Sequence, residues 1–319
     1  MVERGIGEDR ALLMEGDRVV AARLRQHGEL QPGIIVPAKL ISKRTGARRG
    51  VAYSAEADDL TILVDKLPRE VTEGSDLLIE ITRAPIAERG RMKHAQGRVH
   101  DPAFTYANMV NDIFTTENEV FQFPSGAWEK VWQTAFQGEV AFQAGAILIC
   151  VTPAMTLIDI DGDLPPRELG LAAIPAIAQA INWFELGGNI GIDFPTLDSK
   201  ADRRAIDQKL DEWLEDWPHE RTAMNGFGFT QMVARLERPS LLHRFDTSRV
   251  SMCARFALRM AERAKGTGSI LLLTLHPAIK AKLKAEWLDE LARRTGRKVR
   301  VETEPGLALE APNAQIVTT

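Results

Sequence analysis

Thr156-Leu157-Ile158-Asp159-Ile160-Asp161-Gly162 and Asn189-Ile190-Gly191-Ile192-Asp193-Phe194 are the two stretches on which the fold turns. Each is a short apolar run carrying acid at its C-terminal end, and each reads as a buried strand. Between them Leu171, Ile174, Ile177, Ala178 and Ile181 recur at helical spacing until Gly187-Gly188 stops the pattern. Upstream, Ile147–Val151 is another apolar strand, preceded by a helical stripe of Trp128, Val131, Trp132, Ala135 and Phe136. Downstream, Ile206, Leu210, Trp213, Leu214 and Trp217 mark a third amphipathic helix. Strands alternating with helices imply an α/β layered domain. The tryptophans at 128, 132, 213 and 217 fall on these stripes and read as core rather than as base-stacking platforms.

The flanks follow other patterns. Ala11–Met14 and Val19–Leu24 bracket Glu15-Gly16-Asp17, a hairpin signal. Apolar runs at 34–41, 60–64 and 77–81, separated by Gly, Pro or charged turns, suggest a small β-barrel. Residues 100–118 carry Pro102 with Asn and Thr but no period, and read as a connector. Beyond the central layer, a helix over 249–264, the strand Ile270–Leu273, a helix opened by Pro277 and closed by Gly296, and the strand Val299–Val301 form a small α/β module.

Formal net charge is -4 over 319 residues, which excludes a uniformly basic nucleic-acid binder but leaves room for local patches. Two such patches exist. Lys39, Lys43, Arg44, Arg48 and Arg49 have no acid among them, and Arg83, Arg89, Arg91, Lys93 and Arg98 are opposed only by Glu88. Phosphate-tracking grooves need such charge together with aromatic platforms, yet Tyr53 is the only aromatic in the first hundred residues. A solvated basic face is the plainer reading of the same residues. Cys150 and Cys253 form no CxxC pair, which rules out a four-cysteine zinc site made by one chain and suits a reducing compartment. The chain lacks an apolar run of membrane-spanning length, and Met1–Gly5 lacks signal-peptide character. A cytoplasmic location without membrane association is expected.

Asp159 and Asp161 are two apart on one strand and face the same side, while Asp193 ends another. Active sites of α/β sheets gather at strand ends. Converging carboxylates repel unless a cation joins them, and Mg²⁺ takes one or two carboxylates plus water and a substrate phosphate. Such an ion can activate water and stabilise charge on a phosphodiester. Spacing alone leaves a second reading open, in which strand-end aspartates cap turns or helices. Asp159-Ile160-Asp161-Gly162-Asp163 is not an EF-hand loop, because Leu164 stands where Gly is needed and Gly170 where Glu is needed. The same run is similar to the first motif of haloacid-dehalogenase-type phosphatases, but Asp163 stands in place of their Thr and the later acidic motif is not found.

Four ordered segments point elsewhere. Ala135-Phe136-Gln137-Gly138-Glu139-Val140, Ala154–Asp161, Leu186–Phe194, and Phe227–Met232 followed by Arg238-Pro239-Ser240-Leu241 resemble, in order and spacing, the AF-x-REV, EALTxIDxN, LGGxIxIDF and FGLxEM…RPSL segments of the RNase E/RNase G family. Glu8–Arg10 with Leu13–Gly16 resembles that family's opening hairpin, and residues 32–98 resemble its inserted OB-type (S1-type) domain. The resemblance implies an α+β protein, with a small OB-type β-barrel followed by a DNase I-like α/β catalytic domain and a small C-terminal α/β module. Its divisions are 1–99 (hairpin and RNA-binding domain), 100–245 (catalytic domain) and 246–319.

By the same resemblance the activity is endonucleolytic hydrolysis of single-stranded RNA, with Mg²⁺, or Mn²⁺ in its place, on Asp159 and Asp193. Asp161 stands where the family usually has Asn and assists. Lys39, Lys43, Arg44, Arg48, Arg49, Arg89, Arg91 and Lys93 are the expected RNA contacts. Departures are specific. The segment holding the family's 5′-monophosphate sensor is missing, as is its zinc-linking CxxC, so any homo-oligomer forms without that link. Gly226 replaces an Arg, Gln231 replaces a Glu, and Leu169–Ala173 replaces an Asn- and Glu-containing segment. These changes keep open a non-catalytic RNA-binding relative, and the phosphatase is the third alternative.

Overall fold

The computed structural model describes residues 1–57, 59–102, 114 and 118–318. Most of the connector expected over 100–118 therefore lies outside the described residues. The chain begins with β1 (Val2–Arg4), β2 (Glu8–Glu15) and β3 (Arg18–Gln26), an antiparallel sheet in the order β1-β2-β3. The expected hairpin is present, and Gly16 turns it at a φ of 59°.

The barrel follows. It comprises β4 (Ile35–Lys43), β5 (Gly50–Ser54), β6 (Leu60–Asp65) and β7 (Asp76–Arg83), then the hairpin β8 (Ile86–Glu88) and β9 (Arg91–Lys93), and finally β10 (Ala95–Val99). The barrel closes in the order β10-β6-β5-β4-β7, with β10 parallel to β6 and antiparallel to β7. Counting only its five strands, the third pairs with the fifth and the fourth with the first, as in an OB-type barrel. Strict alternation along β4 sends Val36, Ala38 and Leu40 inward. The sequence pattern shows β4, β6 and β7 but not β10. On the inner side of β10 Ala95 and Gly97 precede Val99, so two of its three positions are too small to produce an apolar run.

The central layer comprises α1 (Ala127–Gln137), β11 (Glu139–Phe142), β12 (Gly145–Val151), β13 (Thr156–Gly162), α2 (Pro166–Phe184), β14 (Gly188–Asp193), α3 (Lys200–Leu214), β15 (His219–Arg221) and β16 (Phe229–Ala234). Its sheet runs β11-β12-β13-β14-β16-β15. Helix α2 makes the crossover from β13 to β14, which are consequently parallel, whereas every other neighbouring pair is antiparallel. Helix α2 packs on the inner face, and α3 packs on α2. Trp128 and Trp132 are core as expected, but Trp213 is 44% exposed. The buried stripe of α3 is Ile206, Leu210 and Leu214, and one residue back from Leu214 is about 100° around the helix, facing water.

The tail is α4 (Leu241–Glu262), β17 (Ile270–Leu275), α5 (Pro277–Lys280), α6 (Ala285–Thr295), β18 (Lys298–Thr303) and β19 (Asn313–Val317). Here β17 lies between parallel β18 and antiparallel β19. Helix α4 starts earlier than the 249–264 pattern. Ser240 caps it, and a non-helical Ser248 breaks the periodicity so that the stripe restarts at 249. One hydrophobic cluster runs from Leu12, Val19 and Leu24 of the hairpin through the central layer to Leu271, Ile279 and Leu291, while the barrel has a core of its own. Among the described residues no helix is long and apolar enough to cross a membrane.

A buried ion network fastens these parts together. Glu3 accepts from Arg10 of β2 at 3.0 Å, from Arg259 of α4 at 2.8 Å and from the Phe123 N–H at 3.1 Å. Arg263 also pairs with Glu3, and Arg259 also pairs with Glu129 of α1. Burial pushes the Glu3 carboxyl upward, but the charges of Arg259, Arg10 and Arg263 outweigh it and hold the group below its ordinary 4.5. A depressed carboxyl contributes stability that is present above the unfolded value and lost as pH falls through the folded one. Urea unfolding should therefore show stability declining as pH drops below about 4.5. Glu3→Gln should remove about 3 kcal/mol at neutral pH and flatten that acid dependence.

Candidate active site

In the register of β13 and β14, Thr156 is opposite Ile190 and Asp159 is opposite Asp193. Ile158, Ile160, Ile190 and Ile192 point into the core, so alternation sends Leu157, Asp159, Asp161, Gly191 and Asp193 to the other, open face. Asp159 and Asp193 are thus direct neighbours at a strand spacing of about 4.8 Å. One row of residues crosses the sheet at this level: Glu139, Leu148, Asp159, Asp193 and Phe229. Asp161 is opposite Ala146 in the next row, about 6.6 Å along the strand. There it lines a shallow depression with Glu139 and Asp163. The side chains of Asp159, Asp161 and Asp193 are exposed and have neither hydrogen-bond nor ion-pair partners among the described residues. No group of three or more His, Cys, Asp or Glu converges there or elsewhere among the described residues. Two facing carboxylates with free oxygen ligands fit a hard cation that keeps most of its water, as Mg²⁺ does.

Apolar groups border the acids. A side chain at Gly191 would come within 2.5 Å of the Phe229 ring and 3.0 Å of Leu157 and of the Met155 sulfur, so these three close over the glycine beside Asp193. Leu148, Leu157 and Val233 are each more than a third exposed on the same face.

Beyond Phe229, the β15–β16 hairpin turns through Asn225-Gly226-Phe227-Gly228. The Gly228 N–H donates to the Asn225 carbonyl at 3.2 Å, and the Asn225 side-chain oxygen accepts from the N–H groups of Phe227 and Phe229 at 2.9 and 3.1 Å. The tip is pinned to β14, because the Phe194 N–H, next to Asp193, donates to the Gly228 carbonyl at 3.1 Å. The tight chain path leaves no space for a larger residue at 228. Gly228 has a φ of +88°, and a Cβ there would lie 2.4 Å from the Phe194 carbonyl oxygen. Asp207 steadies the approach to the tip by accepting from Met224 N–H and Arg221.

The cations expected to contact RNA fall into two groups that the fold keeps apart. Lys43, Arg44, Arg48 and Arg49 lie at the β4–β5 end of the barrel, and Arg89, Arg91 and Lys93 lie on the β8–β9 hairpin at the opposite end. Nine-residue β4 separates these ends by about 30 Å. Several are already engaged. Lys43 holds the carbonyls of Pro68, Arg69 and Val71, Lys39 is 3.8 Å from Asp76, and Arg49 pairs with Asp65. On the other hairpin Arg91 and Lys93 pair with Glu88, and Arg89 pairs with Asp246. Of the two, this second group is the one bonded to the rest of the chain, about 20 Å along the strand from Asp159. Arg91 donates to the carbonyl of Pro153 at 2.6 Å, at the start of the loop that brings Met155 over Gly191. Phe227 enters the sequence reading only as the start of the fourth motif, and its exposure is not legible there, since a lone Phe between two glycines carries no periodic signal.

These features define an α+β protein in which an OB-type barrel is joined to an α/β layer bearing a strand-end pair of aspartates. No family model matches the chain. It is similar to Ribonuclease G of Escherichia coli (strain K12), 26% identical over 260 residues that cover 72% of this chain and 49% of the relative. Ribonuclease G of Shigella flexneri gives the same values, and that of Salmonella typhimurium (strain SL1344) is 26% identical over 258 residues, 72% and 48% of the two chains. The chain spans about half the length of the curated relatives it matches. The likeness to the RNase E/RNase G family seen in the four motifs thus holds over most of the chain, as a distant relationship.

The two tip glycines give a paired test of this geometry. Gly228→Ala should lower stability by about 2 kcal/mol, because the turn must break from Phe194. Gly226→Ala, with open space around it, should stay within about 0.5 kcal/mol of the parent. Chemical denaturation of the two variants reads both values.

Proposed function

We propose that the chain is a metal-dependent endoribonuclease acting on single-stranded RNA. The observation that carries this reading is the register of β13 and β14, which sets two carboxylates, without partners among the described residues, side by side on an open face, within the segments that resemble RNase E/RNase G. Relatives named Ribonuclease G over 72% of the chain support the same class. Asp159 and Asp193 would hold Mg²⁺, with Mn²⁺ as a substitute. A divalent ion held there supplies Lewis-acid stabilisation of the phosphodiester and lowers the pKa of water. Asp161, one row along, accepts a hydrogen bond from a water and orients it. Met155, Leu157 and Phe229 keep bulk water from one side of the pair. Arg89, Arg91 and Lys93 orient phosphates at the near edge, and Lys39, Lys43, Arg44, Arg48 and Arg49 attract the strand farther along the barrel. Cleavage on this scheme leaves 5′-phosphates.

Incubation with single-stranded RNA and Mg²⁺ tests the reading. Cleavage should fall by at least about a hundred-fold in Asp159→Asn and in Asp193→Asn, and chelation should abolish it. Mg²⁺ should also raise the thermal midpoint of the parent, by about 1.4 kcal/mol of stabilisation at ten times its dissociation constant, but not that of the double variant. Binding without cleavage would favour a non-catalytic RNA-binding relative, and phosphate release from small esters a phosphatase. Because the segment that holds the family's 5′ sensor is missing, 5′-monophosphate and 5′-hydroxyl oligonucleotides should be cut at similar rates. A large preference for the monophosphate would sink that part of the proposal.

A further inference from the structure

Phe227 is 82% exposed. A large aromatic ring left in water costs hydrophobic free energy, so its surroundings show whether the exposure is incidental or held in place. Here it is held. Asn225 fixes the turn from inside by binding the N–H groups of Phe227 and Phe229, and Gly228 ties it to the residue after Asp193. The backbone that carries the ring is therefore fixed, and the ring turns only about its own side-chain bonds. Directly below, Phe229 is cross-strand neighbour to Asp193. The structure thus mounts an exposed aromatic on a fixed backbone two residues from the cross-strand neighbour of Asp193.

The barrel offers little of this kind. Its one aromatic, Tyr53, has its hydroxyl tied to Asp59 and is 37% exposed, against 82% for Phe227. Unpaired bases are gripped by stacking on aromatic side chains, which tolerates any base because each has a π-face. Cations alone would hold the backbone but leave the strand free to slide.

We propose that Phe227 is the stacking residue that sets the register of a single RNA strand over Asp159 and Asp193. One base of the strand lies on its ring, and the neighbouring phosphodiester is brought level with the carboxylate row. The proposal rests on the reading of the substrate as single-stranded RNA. It assigns Phe227 a positioning role and no chemistry.

The test uses the full chain with a set of single-stranded RNA oligonucleotides, each lacking the base at one position. Binding is measured on the Asp159→Asn, Asp193→Asn background and cleavage on the parent. One position should stand out, where removal of the base weakens binding about ten-fold. Phe227→Ala should weaken binding of intact RNA by the same factor and erase that position, leaving the thermal midpoint unchanged. Phe227→Trp should restore both. In cleavage, Phe227→Ala should also scatter the cut sites, an effect that a purely structural role would not produce. An unchanged base-removal profile in Phe227→Ala overturns the proposal, as does the absence of any sensitive position, or of RNA binding, in the parent background. The two readings separate cleanly. Cleavage with a Phe227-independent profile removes this proposal alone, while a Phe227-dependent profile without cleavage keeps it and removes the hydrolase.

Discussion

Asp159 and Asp193 are held side by side by the register of the parallel pair in the six-stranded sheet. Everything around them serves or follows from that register. Because side chains alternate with a period of two, a slip of one residue in either strand would send its aspartate into the core and bring its isoleucines out to solvent. Burial of Ile158, Ile160, Ile190 and Ile192 against α2 forbids the slip. The crossover helix also makes the pairing parallel, and so brings the acidic ends of two strands together at the same level. The hydrophobic core thus fixes the position of two charges that, with no cation between them, repel each other.

The mounting of the sheet is rigid for a related reason. Glu3, Arg10, Arg259 and Glu129 are contributed by the opening hairpin, α4 and α1, and the first three are almost wholly buried. A buried network of this kind adds less to net stability than its contacts suggest, but each removed member leaves an uncompensated charge. It therefore specifies one arrangement of these elements. The barrel docks through different bonds, with Arg89 on Asp246 and Arg91 on Pro153, and these tie one end of the barrel to α4 and to the loop that enters β13.

The legible part of this protein was the part with period and order. The apolar runs that end in Asp159 and Asp193, the helical stripe between them and the opening hairpin are visible in the sequence, and so are three of the five barrel strands. What escaped has no period. In β10 two of the three inner positions are Ala and Gly, α4 contains a break at Ser248 that restarts its stripe, and Trp213 belongs to an apolar stripe but lies just off its buried edge. The aspartates could be named from sequence, but not their common row, which depends on pairing between strands that a helix separates. The basic residues show the converse. The two patches that the sequence shows lie at opposite ends of a barrel, and many of their cations are already neutralised by local partners, so counting cations overstates the charge left for a polyanion.

That last point shapes how the acidic face must work under the proposed function. Arg44 and Arg48, which have no ion-pair partner among the described residues, are at the far end of the barrel, while Glu139, Asp159, Asp161, Asp163 and Asp193 share the open side of the sheet. A phosphodiester approaching that side meets uncompensated negative charge at short range, where screening by salt is weakest. Attraction from the barrel can bring the strand near but cannot by itself seat it. Neutralisation of the pair by a divalent cation would remove the repulsion, and a bound phosphate would in turn supply the cation with a further oxygen ligand. By linkage the two affinities must then rise together and by the same factor. Stacking acts on the base and is indifferent to the charge on the phosphate. An aromatic at the hairpin tip is therefore able to engage RNA before the charges are balanced, which is the part the proposal gives to the exposed Phe227.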